Sequence, residues 1–100
     1  MFDFDKLDRL IHEKGRLAIL SLLATRSCWA FPDLRQQLQM TDGNLLTHLR
    51  TLENAGYVSS TRDPSARGRP RTEYAISDLG RKAFTEYLDA LEELLHRHRD

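Results

Sequence analysis

The sequence predicts a mainly α-helical single domain carrying one small β-hairpin, an α+β arrangement, and three observations carry that prediction. Apolar residues recur at i, i+3, i+4 spacing in separate stretches before Gly56, as in helices with one buried face. Between Tyr57 and Ile76 that period gives way to strand-forming residues on either side of a segment rich in proline and glycine, as in a hairpin. From Ser77 onward an apolar stripe returns and persists for about four turns of helix. The 100 residues, 40% of them hydrophobic, are enough for one domain with one modest core and too apolar for a disordered chain.

Residues 4–12 read as a short helix with Leu7, Leu10 and Ile11 on one side and Asp3 or Asp5 as its cap. Gly15 weakens any continuous helix beyond it. Residues 16–26 form a second, more buried helix, because Leu17, Leu20 and Ala24 make a stripe that Ile19 and Leu23 widen. Residues 27–30 are a short strand or an extended link. Pro32 suits the first turn of a helix over about 32–39, where its missing N–H costs nothing. Leu34 and Leu38 mark that helix's buried side, and Gln36, Gln37 and Gln39 its exposed side.

Met40 links it to a central helix over about 42–55. Thr41 is a good N-cap, since its hydroxyl accepts a bond from a free backbone N–H. Asp42 puts negative charge where the helix dipole favours it. Leu45, Leu49 and Leu52 make the buried face, and Gly56 follows where a left-handed residue ends a helix. The opposite face, Asn44, Thr47, His48, Arg50 and Thr51, is polar and nearly free of acid. Strands over 57–62 and 72–76 flank a loop over 64–70. Ser77 then caps a last helix running to about residue 97, with Asp78 in its first turn.

Charge and cysteine usage narrow the function classes. The formal net charge is zero, so no global field steers the chain to a polyanion. The charge is unevenly placed, however: Arg62, Arg67, Arg69 and Arg71 stand against Asp63 alone, and Asp3, Asp5 and Asp8 against Lys6. A single cysteine, Cys28, forbids an internal disulfide and any zinc-finger spacing, which fits a reduced, cytoplasmic protein. The acidic amphipathic N-terminus is unlike a secretory signal, and no apolar run approaches the ~20 residues of a membrane span. No nucleophile, base and orienting group fall at a recognisable spacing, so an enzyme is not expected, and no cofactor is implied.

Two helices joined by a short turn (about 32–55), a basic hairpin (about 57–76) and a long last helix (about 77–97) are the layout of a winged helix-turn-helix domain. Thr47–Val58, THLRTLENAGYV, resembles the S-x-HL-x-x-L-x-x-x-G stretch of the ArsR and MarR transcriptional regulators. RGRPRTEYAISDLGRKAF resembles their wing and following helix, with its Gly-Arg-Pro, its tyrosine strand and its Ser-x-x-Gly helix start. LIHEKGRLAILSLL, with His12 ahead of R-x-x-I-L-x-x-L, is similar to their first long helix. The resemblance spans roughly residues 7–95 and is closest to small stand-alone regulators of bacteria and archaea. Two departures stand out: Lys14 where the group often has proline, and Leu46 where it often has a polar residue. Leu46 either touches a thymine methyl or packs inward.

The resemblance implies a regulator that reads double-stranded DNA. The last helix carries more apolar length than a core of this size covers. Its half beyond Leu88 is expected either on a second copy, giving a homodimer that reads an inverted repeat, or folded back over the N-terminal helix. Asn44, Thr47, His48 and Arg50 are the expected groove-facing set, since Arg bonds guanine and Asn bonds adenine through paired donors and acceptors. His48, beside Leu45 and Leu49, is equally placed to be a packed core-edge residue. Thr41 and the N–H groups behind it form a phosphate site. Arg62, Arg67, Arg69 and Arg71 are expected on the minor groove or its phosphates. Phe84, Tyr87, Leu88, Leu91, Leu94 and Leu95 are the expected dimer face.

The rival readings are a metal sensor using His96, His98 and His12, a redox switch at Cys28, and a winged helix that binds only proteins. Histidines two apart face different sides of a helix, and one thiol beside Trp29 and Phe31 is more often a packed small residue. The sequence names no metal and no effector.

Overall fold

The computed structural model describes residues 1–63 and 71–99. A single 3₁₀ turn, Phe4–Lys6, is followed by α1 (Lys14–Leu23), β1 (Trp29–Ala30), α2 (Phe31–Leu38) and α3 (Asp42–Asn54). Then come β2 (Val58–Asp63), β3 (Arg71–Ile76) and α4 (Asp78–Arg99). The strands form an antiparallel sheet in the order β1-β3-β2. Trp29 faces Tyr74 across β1 and β3, and Val58 faces Ile76 across β2 and β3.

The helix expected over 4–12 is replaced by two short turns. Asp3 caps the first by accepting the Asp5 N–H. In the second, the Asp8 carboxylate accepts the N–H of Leu10 at 2.8 Å and of Ile11 at 3.3 Å. Such side-chain bonds compete with helix propagation. The chain then straightens at Glu13, which is extended and caps α1 by accepting the Arg16 N–H. The second helix accordingly starts at Lys14, ahead of the expected residue 16, and takes in Gly15. It ends at Leu23, three residues short of the expected residue 26.

The core lies where α1 meets α3, α2 and the sheet. Ile11, Ile19, Leu20, Leu23, Leu34, Leu45, Leu49 and Leu52 have no exposed surface, and Trp29, Val58 and Tyr74 close it. The turn between α2 and α3 is tight because Gln39 takes the left-handed conformation, φ 55°. The Met40 N–H then reaches back to the Arg35 carbonyl at 3.3 Å. Gly56, φ +82°, ends α3 in the same conformation, which glycine adopts without strain.

Ser77 caps α4 as expected, its hydroxyl accepting the Gly80 N–H at 2.9 Å. The apolar stripe of this helix splits in two, one part packed in the protomer's own core and the other left at its surface. Phe84 and Tyr87, 9% and 2% exposed, are used up in the protomer's own core together with Ala90. Beyond Ala90 no α4 residue is buried. Leu88 and Leu95 remain 44% and 51% exposed, with Leu91 and Leu94 half-buried between them. At 1.5 Å per residue the 22-residue helix is roughly 33 Å long, and its second half accounts for a molecule measuring 56 × 25 × 21 Å.

Candidate nucleic-acid interface

Helix α3 is anchored from behind and open in front. Leu45, Leu49 and Leu52 are buried on α1 and the sheet, so their spacing fixes which side chains point outward. Thr41, Asn44, Thr47 and Arg50 are all exposed on the outer face. The Thr41 hydroxyl accepts the Asn44 N–H at 3.2 Å. The amides of Asp42 and Gly43 keep no partner among the described residues. Two such amides at the positive end of a helix suit an anion.

Asp42 is an acid at the same end, and Arg35 of α2 neutralises it across the turn at 3.1 Å. Thr47 and Thr51 donate back to the carbonyls of Gly43 and Thr47. Thr47 is exposed and Thr51 half-buried. Arg50 forms no ion pair among the described residues. Leu46 is half-buried at the edge of this face.

The sheet brings one wing arginine to the same side. Strand alternation puts Val58, Ser60 and Arg62 of β2 on the face of Tyr74 and Ile76. That face lies against α3, where the Ser60 hydroxyl donates to Glu53 at 3.0 Å. Arg62 extends this face and is exposed. Arg71 alternates to the opposite face, 4.0 Å from Asp33 of α2. Arg67 and Arg69 lie outside the described residues.

His48 is half-buried rather than displayed. Its Nδ1 lies 3.2 Å from the Arg16 guanidinium and 3.8 Å from the Glu13 carboxylate. A Cβ on Gly15 would meet His48 Nε2 at 2.8 Å, so Gly15 leaves the room in which the His48 ring lies. The Arg16 N–H, bonded to Glu13, holds that carboxyl below the usual range of about 4.5. Arg16, Glu13 and Gly15 were not among the residues that sequence reasoning assigned to the site. The available signal was a glycine beside a capping acid and an arginine three residues on.

Several other ionisable groups are occupied with a partner. The Cys28 thiol donates to Glu73 at 3.2 Å, and that hydrogen bond pushes its pKa up, away from the reactive thiolate. His12 Nδ1 lies 2.6 Å from the Tyr87 hydroxyl. His96 faces Glu92 one turn below at 3.7 Å. Tyr57 donates to Asp8, which raises the phenol to about 12 and ties the N-terminal turn to the start of the wing. No helix among the described residues is long and apolar enough to cross a membrane.

A family model for a winged helix DNA-binding domain matches residues 16–95. An uncharacterized protein of Methanocaldococcus jannaschii is 38% identical over 80 residues, covering 80% of this chain and 86% of that protein. A transcriptional regulator homologue from Pyrococcus horikoshii OT3 superposes with a TM-score of 0.88 at 27% identity, over 96% of this chain and 95% of its own. The transcriptional repressor CouR, solved on a 23-mer DNA duplex, matches with a TM-score of 0.75 at 19% identity, over 89% of this chain and 61% of its own. MarR-family transcriptional regulators are thus the structural neighbours of this fold.

Proposed function

Because the chain belongs to the winged helix DNA-binding domain family, we propose that it is a sequence-specific, double-stranded-DNA-binding transcriptional regulator that works as a homodimer. Family and fold are those of transcriptional regulators, which are not enzymes. The observation that carries the reading is the outer face of α3. Thr41, Asn44, Thr47 and Arg50 are exposed together while the leucines behind them are fully buried. That arrangement supports insertion of α3 into the major groove, with Asn44 and Arg50 on base edges and Thr47 on a base edge or phosphate. The N-terminus of α3 takes a phosphate.

The wing arginines Arg62, Arg67 and Arg69 take the minor groove or its phosphates, and Arg71, from the opposite face of the sheet, takes a phosphate. The exposed leucines of α4, Leu88 and Leu95 with Leu91 and Leu94, support pairing with a second copy. The two copies would read the halves of an inverted repeat roughly 34 Å apart, one turn of duplex, in the cytoplasm of a prokaryotic cell.

Salt dependence tests the reading. If each protomer neutralises roughly 3–5 phosphates, log K falls by about 0.9 per phosphate for each decade of salt. Replacing Arg62, Arg67, Arg69 and Arg71 with alanine weakens binding to all duplexes about equally and flattens the slope. A slope near zero for the unaltered protein, with its α4 leucines instead holding an unrelated protein, would favour a winged helix that binds only proteins.

A further inference from the structure

We propose that His48, although it lies on the recognition helix, reads no base. It is instead the contact through which Arg16 and Glu13 of the first helix set the rotation of α3 in the groove. The inference rests on the DNA-binding reading above and names three residues that reading does not use.

The geometry is a bracket with its foot in α1. The Arg16 Nε donates to the Leu10 carbonyl at 2.7 Å, which pins the guanidinium to the turn before α1. Its backbone N–H donates to Glu13 Oε1 at 2.8 Å, and the guanidinium lies 4.0 Å from the same carboxylate. The guanidinium's other end meets His48 Nδ1 at 3.2 Å. Arginine only donates, so Nδ1 must accept and the ring proton sits on Nε2. At 3.8 Å, Glu13 is too far to accept a proton from Nδ1 in a hydrogen bond. The Arg16 side chain is only 18% exposed and that of His48 22%, so the contact is partly shielded from water.

The place of His48 on α3 gives this contact leverage. It follows the exposed Thr47 and precedes the buried Leu49. Asn44 lies one turn before it on the same edge. Leucine packing fixes which face of α3 points outward. A directional bond at the edge of that face sets the remaining few degrees of rotation, and so the aim of Asn44 and Thr47. Gly15 supplies the clearance, since a Cβ there would lie 2.8 Å from His48 Nε2 and the ring would have to shift. Arg16 and Glu13 are therefore positioning residues.

The test combines a spectrum with a double-mutant cycle. A two-bond ¹H–¹⁵N spectrum of the DNA-free protein should show His48 as the Nε2–H tautomer. Arg16→Met should release it to a mixture. A proton on Nδ1 in the unaltered protein would overturn the proposal regardless of DNA. Affinity is then measured on the duplex selected by the unaltered protein, with unfolding followed in parallel.

Losing a hydrogen bond to a charged group corresponds to about tenfold, so Arg16→Met and His48→Leu should each lose about that much. The double variant should lose no more than either single one. His48→Asn keeps an acceptor at the Nδ1 position, so it should bind within about threefold and select the same sequence. It decides the matter even if His48→Leu fails to fold. Additive losses, or a changed base preference with His48→Asn, would show that His48 touches DNA directly. If the unaltered protein selects no duplex, it is the DNA-binding reading that fails.

Discussion

Replacing Gly80 with alanine should cost this domain more than the same change at Gly15 or Gly43. A Cβ there would lie 2.0 Å from the Tyr57 carbonyl oxygen and 2.8 Å from its carbon. To reach an ordinary contact of about 3.4 Å, the first turn of α4 must back away by roughly 1.4 Å. Neither side can yield. The Tyr57 carbonyl accepts the Ser77 N–H at 2.9 Å, and the Tyr57 N–H donates to Leu52 at 3.0 Å. On the other side, Phe84 and Tyr87 hold α4 in the core.

Overpacking of this kind costs about 1–3 kcal/mol. Loss of the Ser77–Tyr57 bond adds about 1 kcal/mol. Alanine's better helix propensity returns at most about 1 kcal/mol. The net is about 1–4 kcal/mol, or a fall of roughly 4–32 °C in Tm for a domain of this size. Urea unfolding monitored by circular dichroism measures it. Gly43→Ala is the control, because nothing lies within 4 Å of its Cβ and the same change should stabilise by up to about 1 kcal/mol. A Gly80→Ala midpoint equal to or above that of the unaltered protein would refute the close-approach argument.

Gln39→Gly should raise stability by about 0.5–1 kcal/mol in the same assay, because glutamine at φ 55° carries left-handed strain that glycine does not. Glu13 has a depressed folded pKa, so its contribution is present above about 4.5 and is lost as pH falls through the folded value. In acid titrations of stability, Glu13→Gln should lack that loss. Tyr57 has the opposite sign: with its phenol raised to about 12, its contribution is complete below pH 10 and disappears between about 10 and 12. Tyr57→Phe should remove that alkaline step. Leu88→Glu with Leu95→Glu should yield monomers by light scattering at micromolar concentration and weaken operator binding more than about tenfold, since two charges would enter the proposed apolar seam. A dimer that persists would place the interface elsewhere.

Elements set by local chemistry were legible in the sequence. Thr41 and Ser77 cap the helices they were expected to cap, and Gly56 ends α3 with positive φ. The spacing of the three leucines of α3 already marks its outer face in the sequence. Features decided by distant partners were not legible. The helix expected over 4–12 fails because Asp8 turns its carboxylate onto the amides of Leu10 and Ile11, a choice reinforced by Tyr57 far along the chain. Gly15 looked like a helix breaker and is instead a clearance for His48. The α4 stripe looked continuous, yet only the fold reveals that Phe84 and Tyr87 are already covered. The likeness of LIHEKGRLAILSLL and THLRTLENAGYV to regulator motifs was visible, but not that Arg16 of one touches His48 of the other.

The most direct test of the central claim is selection of bound duplexes from a random pool at about 150 mM salt. The account predicts recovery of an inverted repeat with half-sites about one helical turn apart. Recovery of no shared motif, or of no duplex at all, would contradict it.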